Sequence, residues 1–287
     1  MGAPAQDGDI DKSVIRSSKY SNKELKDMCE SLRTLVQGEP ALRCSTTDDF
    51  LIRFIKASEY DVTQSFTLIK DYFRAKIENP DAYVVKSPKS KLSSLVRMDL
   101  GFPLLGRDYE GRRVVWVRLG DLDPNKESFE RICDIIMIVL EFLSLEEDVQ
   151  DLGASVILDA TNFTLKIMKW CTPYKMKTIM RFLQDCIPMR FVAFHVVNAP
   201  FIFNAFFTAM KPFMREGFKS KLKWHKGDLE SLYQHMDRKI LPPHLGGDLN
   251  FKDMEQWYLP ILEKEEIFEE FRQMGYINAS QSPEDTY

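Results

Sequence analysis

The stretch Asn198-Ala199-Pro200-Phe201-Ile202-Phe203-Asn204-Ala205-Phe206-Phe207-Thr208-Ala209-Met210 carries the most information in this chain. Asn198 has the chemistry of a helix N-cap, and a proline is tolerated in a first turn. The helix expected over 199–214 then presents Phe201, Ile202, Phe203, Phe206, Phe207 and Met210. At 100° per residue these wrap most of its circumference. A helix apolar nearly all round is either core or faces a second apolar phase. Directly after it, residues 211–226 hold six Lys/Arg against one Glu, interleaved with Phe213, Phe218 and Trp224. A basic, aromatic-laced segment beside a greasy helix suits an anionic membrane surface, and equally a solvated charged face.

Working outward, residues Arg190 to Val197 read as a strand dense in Phe and Val, and Pro173 to Cys186 as a helix. Val156-Ile157-Leu158-Asp159 is a short buried strand. Residues 127–147 form a long helix with Phe129, Ile132, Ile136, Leu140 and Leu143 on one face. Arg113 to Arg118 is a strand after the turn Asp108-Tyr109-Glu110-Gly111. Leu222 to His225 adds a last short strand and 228–238 a last core helix. Strands alternating with helices predict an α/β fold with a mixed, mainly parallel sheet flanked by helices. Ahead of it, three capped helical segments predict an all-α N-terminal module over 21–85. Ser21-Asn22-Lys23-Glu24 is a capping box, Thr46-Thr47-Asp48-Asp49 opens the second helix, and Asp61 opens the third. Pro80 is expected to end the module, and Asn79 to Ser94 to be a linker. Residues 1–20 read as a flexible arm, 90–250 as the sheet domain and 251–287 as an acidic helical tail.

With 287 residues, 44% hydrophobic and 29% charged, the chain has the composition of a globular protein rather than a disordered one. A net charge of −4 argues against a nucleic-acid binder. The most apolar window, 135–140, is flanked by Asp134 and Glu141, which argues against a transmembrane helix. Five cysteines without a CxxC pair predict free thiols in a reducing compartment, and no apolar stretch in the first 18 residues resembles a secretory signal. The cytosol follows as the expected location. No GxSxG, GxGxxG or GxxxxGK[ST] pattern occurs. The four histidines have no metal-ligand spacing, so neither a metal nor a catalytic residue is expected. The one acid–base pair that could be imagined is Asp159 with His195. The simpler reading has Asp159 capping the turn after its strand.

Three motifs in register resemble one family. Phe50-Leu51-Ile52-Arg53-Phe54-Ile55-Lys56-Ala57 resembles a helix in the N-terminal module of CRAL-TRIO lipid-binding proteins. Asn198 to Phe203 followed by Lys211-Pro212-Phe213 resembles their gate helix, and Leu241-Pro242-Pro243-His244-Leu245-Gly246-Gly247 their closing motif. The resemblance implies a lipid pocket floored by one sheet face, a movable lid at 199–214 and no catalytic residues. Its cargo would be one hydrophobic molecule, such as a tocopherol, retinoid, carotenoid or other isoprenoid-like lipid, carried between membranes by a monomer with no cofactor. The residues matching the family's pocket are Ile136, Leu140, Ile157, Phe163, Ile179, Phe182, Leu183, Ile187 and Met189, with lid residues Phe203, Phe206, Phe207 and Met210. Tocopherol-binding members place serines where this chain has Ile136 and Leu140, which implies a drier pocket. Positions matching the family's phosphoinositide cluster are Ser58, Arg190, Val192, Gly217 and Lys221. Lys56, Lys211, Arg215, Lys219 and Lys223 lie close in sequence and imply a general attraction to anionic membranes. The same fold also admits a lipid-sensing scaffold that binds a protein partner through the acidic tail.

Overall fold

The computed structural model describes residues 20–91, 104–227, 229–249 and 257–277. The expected arm at 1–20 lies outside them except for Tyr20. The N-terminal module follows its capping chemistry. The Glu24 amide donates to Ser21 Oγ (3.3 Å) and the Ser21 amide to Glu24 Oε2 (2.7 Å), opening helix α1, Asn22–Gln37. Helix α2, Asp48–Ala57, starts after Thr47 without a side-chain cap bond and carries two acids in its first turn, where the helix dipole favours them. Helix α3, Val62–Glu78, is capped by Asp61, whose carboxylate takes the Gln64 amide at 2.9 Å. Leu32, Leu51, Phe54, Ile55, Ile69 and Phe73 meet between the three helices. Pro80 does not end the unit. Proline is suited to a first helical position, and here it begins a further turn, Pro80–Tyr83. Tyr83 and Val85 are buried in the core of the sheet domain, so the expected linker is packed at its start.

That domain holds a five-stranded sheet in the order β2 (Leu104–Arg107), β3 (Arg113–Arg118), β4 (Ala154–Asp159), β5 (Phe191–Val197), β6 (Leu222–Trp224). Only the β2–β3 pair is antiparallel, as a tight hairpin through 108–112 permits; β3 to β6 run parallel through helical crossovers. Helix α4, Phe129–Leu145, is capped by Ser128 and covers one sheet face. It is followed by helix α5 (Leu165–Trp170) and helix α6 (Pro173–Arg181), which runs on into a π-helical turn, Phe182–Cys186. Side chains alternate across the sheet. Val115, Val156 and Phe194 face α4, while Val114, Trp116, Ile157 and Val197 pack on the other side beneath Leu232, Leu241 and Leu245.

A buried ionic group ties the module to α4. Arg53 donates to Ser144 Oγ (2.9 Å), lies 3.7 Å from Glu141 Oε2, and sits over the rings of Phe50 (5.0 Å) and Phe271 (4.6 Å). Tyr72 donates its hydroxyl proton to Glu141, and Lys76 donates to Tyr72 at 2.7 Å.

One expectation for the C-terminal part changes. The helix expected over 228–238 is only the turn Glu230–Tyr233. The described part of the expected acidic tail is helical, and it packs on the rest of the chain. It forms Leu259–Leu262 and helix α8, Glu265–Gln273, with Phe268 in the core of the sheet domain and Phe271 in that of the N-terminal module. Strand β7, Gly275–Tyr276, then pairs antiparallel with β1, Leu42–Arg43. The Gly246-Gly247 pair has a steric reason. Gly246 adopts φ +70 to end the turn Pro243–Leu245, and a Cβ on Gly247 would meet the Leu241 carbonyl oxygen at 1.9 Å.

Candidate lipid-binding cavity

Between the α4 side of the sheet and helices α4, α5, α6 and α7 (Phe201–Met210) lies a cavity of about 240 Å³. The sheet contributes Val115, Val117, Val156, Leu158, Phe191, Phe194 and Leu222; α4 contributes Ile132, Ile136, Val139 and Leu140. Phe191 and Phe194 reach the same face although three residues apart. The register shift between Ala154 and Ser155 inserts Val192 as an extra residue in β5. Arg118 is the charged member of the wall. It belongs to the strand positions that face away, and its guanidinium lies 5.3 Å over the Trp116 ring and 2.8 Å from Asp121. Every other wall residue is aliphatic, aromatic, Met or the single Cys171. Apolar cavities stay dry and take up apolar guests.

Of the pocket residues read from the sequence, Ile136, Leu140, Phe163, Ile179 and Leu183 line this cavity. Ile157 does not. Adjacent strand residues point to opposite faces, and with Val156 and Leu158 turned inward, Ile157 packs on Val114 and Trp116. Phe182 stacks on Tyr83 at 5.5 Å and closes a smaller recess beside the cavity. Ile187 and Met189 are buried in the surrounding core without reaching the wall. The strand residues Val115 and Val117 were missed, although the same alternation that excludes Ile157 points to them.

The four lid residues Phe203, Phe206, Phe207 and Met210 all line the cavity. Phe203 and Phe206 meet Phe163 at 5.2 and 5.1 Å, and Phe207 stands edge-on to Trp224 at 4.8 Å. The helix is shorter than expected. Asn198 is not its cap. That residue takes φ +52 and gives its side-chain amide to Asp159 (3.2 Å), so α7 starts after Pro200. Nor is α7 buried all round. Asn204, Ala205, Thr208 and Ala209 face outward, and Phe201 is 87% exposed. On the neighbouring α5, Leu165 is 52% exposed.

Asp159 caps the turn as its simpler reading held, taking the amide and hydroxyl of Thr161, and is also met by His244 Nε2 at 2.9 Å. Burial pushes this carboxyl up, but the hydrogen bonds from His244, Thr161 and Asn198 outweigh it and bring it down to about 2. The imagined partner His195 lies on the sheet face away from the cavity, 2.9 Å from His225. No acid–base pair forms between Asp159 and His195.

The expected basic cluster is divided. Lys56 reaches Asp151 at 2.7 Å and Arg190 donates to the Asp151 carbonyl, while Lys221 is half-buried nearby, its ammonium shifted down by burial. At the end of the lid, Arg215 pairs with Asp185 (2.9 Å) and Lys219 with Glu216 (2.7 Å), and Lys211 stays near the Phe207 ring at 6.0 Å. Lys223 belongs to neither group. It is the register partner of His195, so it faces the histidines, while Leu222 and Trp224 face the lid.

An apolar cavity between a mixed sheet and a covering helix, with no ionised side chain turned inward from its described walls, defines a class of α/β proteins built around a hydrophobic guest. Comparison with known proteins agrees. Residues 97–247 match the CRAL/TRIO domain. Clavesin-1 of Xenopus laevis is 31% identical over 238 residues, spanning 81% of this chain and 71% of that protein. Clavesin-2 of Homo sapiens is 30% identical over 240 residues, spanning 82% and 73%. A crystal structure of Sfh5 shares the fold with a TM-score of 0.52 at 17% identity, over 87% of this chain and 99% of that one. The chain belongs to the CRAL/TRIO family of lipid-binding and lipid-transfer proteins. Among the described residues no helix is long and apolar enough to cross a membrane.

Proposed function

We propose that this protein encloses one uncharged hydrophobic molecule, an isoprenoid-like lipid such as a tocopherol, retinoid or carotenoid, and carries it between membranes as a cytosolic monomer. The observation that carries the proposal is the wall itself: 28 residues, among which the one ionisable group besides the Cys171 thiol, Arg118, is drawn to Trp116 and Asp121. A charged cargo would lose its hydration there without gaining a counter-ion. A lipid with about 20 buried CH₂ equivalents costs roughly 16 kcal/mol to expose to water, at ~0.8 kcal/mol each. The cavity therefore has to close over its guest and open only against another apolar phase. Helix α7 suits both states. Phe203 and Met210 seal the closed form, and the outward Phe201, together with the exposed Leu165 on the adjoining α5, supplies apolar surface for a bilayer. Lysines and arginines around the lid add roughly 1 kcal/mol each near an anionic surface. That is attraction by charge rather than recognition of a particular phosphoinositide.

The test is transfer of a fluorescent lipid between vesicles, combined with vesicle co-sedimentation. Phe201→Asp with Leu165→Asp alters exposed positions only. The variant takes up the lipid as wild type does but sediments less with vesicles and transfers more slowly. Unchanged transfer refutes the membrane role of this face; failure of wild type to take up any hydrophobic probe refutes the cavity reading.

A further inference from the structure

Beside the cavity, a group of three aromatic rings holds one of the protein's own cations. Trp170 ends α5, Phe129 begins α4, and Tyr174 and Lys175 lie in the first turn of α6. The Lys175 ammonium sits 3.5 Å from the centre of the Trp170 ring and 5.7 Å from that of Phe129. Phe129 stands 6.2 Å from both Trp170 and Tyr174, at interplanar angles of 63° and 61°. The rings are therefore walls of a concave box rather than a stack. Phe129 is buried, whereas Tyr174 is 62% exposed and is held in place by Asn79 Nδ2, which donates to its hydroxyl at 2.8 Å. Trp170 and Lys175 are half-buried.

The lysine is a poor occupant of this box. Burial lowers its ammonium, with Cys171, Glu130 and Cys133 opposing that shift. A primary ammonium is compact and strongly hydrated, so it gives up favourable water on entering. A cation in the first turn of α6 also opposes the helix dipole. A quaternary ammonium spreads the same charge over apolar methyl groups, and aromatic cages are its characteristic receptors. We propose that Phe129, Trp170 and Tyr174 form a receptor for the choline headgroup of a membrane lipid, and that Lys175 is its removable plug. The four-carbon lysine stem is flexible, so the ammonium can swing into water as the headgroup enters. That headgroup brings its own phosphate, and the box meets a zwitterion in place of a bare cation. The location suits a ligand fixed in a bilayer. Leu165, 52% exposed, precedes Trp170 by five residues on α5, about 8 Å along the axis at about 1.5 Å per residue. Helix α5 also packs on α7, which carries the exposed Phe201. The receptor thus rests on the docking face described above and gives it a lipid preference, whatever the cavity carries.

The experiment is co-sedimentation of the full chain with vesicles of uncharged digalactosyldiacylglycerol that contain equal amounts of either phosphatidylcholine or phosphatidylethanolamine. The two headgroups differ only in the methyl groups on nitrogen. Wild type binds the phosphatidylcholine vesicles more tightly. Lys175→Ala vacates the box and raises that preference roughly fivefold, the size expected for one cation–π contact. Lys175→Arg keeps a plug in place and stays near wild type. Trp170→Leu, with its fold checked by circular dichroism, loses the preference. Choline chloride in solution does not release wild type from the phosphatidylcholine vesicles, because the adjoining apolar face adds its contacts only to a headgroup held in a bilayer. Equal binding to both vesicles by wild type and Lys175→Ala alike overturns the receptor and leaves the docking face standing, and so does a preference that survives Trp170→Leu. Release by soluble choline overturns the membrane source and assigns the box to a free quaternary ammonium. Absence of wild-type binding to either vesicle overturns the docking face and the receptor with it.

Discussion

Protonating the buried histidines should destabilise this protein well before its carboxylates titrate. His195 on β5 and His225 just after β6 share a hydrogen bond of 2.9 Å, and His225 also meets Ser231 Oγ at 2.7 Å. Burial pushes His195 down to about 3, with His225, His235 and Lys223 acting the same way, and pushes His225 down to about 4, with His235 and Lys223 acting the same way. Burial lowers His235 as well, with Lys223 and Arg112 acting the same way and Asp108 and Glu110 opposing it. A base whose folded value is depressed binds its proton more readily when unfolded, so stability falls as pH falls below the ordinary value of 6.5. Both folded values lie well below pH 5.5. By about pH 5.5 each histidine therefore costs on the order of 1 kcal/mol, and the pair a few kcal/mol, relative to about pH 7.5. Against a typical 5–15 kcal/mol of total stability this is a large fraction. The perturbation is His195→Asn, whose amide can still meet His225 but takes up no proton. Urea unfolding across this pH range should show wild type losing a few kcal/mol, with His235 adding to the pair, and the variant losing about 1 kcal/mol less. A flat wild-type profile, or the same slope in both proteins, refutes the assignment of neutral histidines.

Two further outcomes follow from other parts of the structure. Arg53→Met leaves Glu141 buried without its charge partner and should cost about 3–5 kcal/mol, whereas Arg53→Met with Glu141→Leu should recover only part of it, because the Tyr72 hydroxyl then loses its acceptor; urea midpoints of the two variants decide. Leu140→Trp and Leu183→Trp each project an indole into the cavity and should abolish uptake of a fluorescent lipid while circular dichroism stays unchanged; normal uptake in both places the guest elsewhere.

The parts legible in the sequence were those governed by local rules. The Ser21–Glu24 box and the Asp61 cap start their helices where the residues say, and Arg113–Arg118 is a strand with the expected bounds. The cavity was half legible. The family resemblance pointed to Ile136 and Leu140 on α4, which line the cavity, and equally to Ile157, which packs on the opposite sheet face because Val156 and Leu158 are the residues of β4 turned inward. Other features depend on tertiary partners no local pattern reveals. Asn198 left its capping role because Asp159, 39 residues earlier, takes its amide. The acidic segment after 256 read as a tail because its charges are conspicuous, while Phe268 and Phe271 hold it against two cores. Lys223 looked like part of a membrane patch until strand pairing turned it toward the histidines. The π-helical turn at Phe182–Cys186 had no sequence signal beyond a helix running up to Pro188.

The central claim is that the cavity beneath α7 holds one uncharged hydrophobic molecule. Native mass spectrometry of the protein purified from its own cells, followed by mass spectrometry of its organic extract, tests this most directly. The account predicts a single bound neutral lipid per chain, absent from a Leu140→Trp/Leu183→Trp variant purified in the same way. A chain that carries no lipid, a bound species with an ionised headgroup buried in the cavity, or the same lipid retained by the filled variant would contradict it.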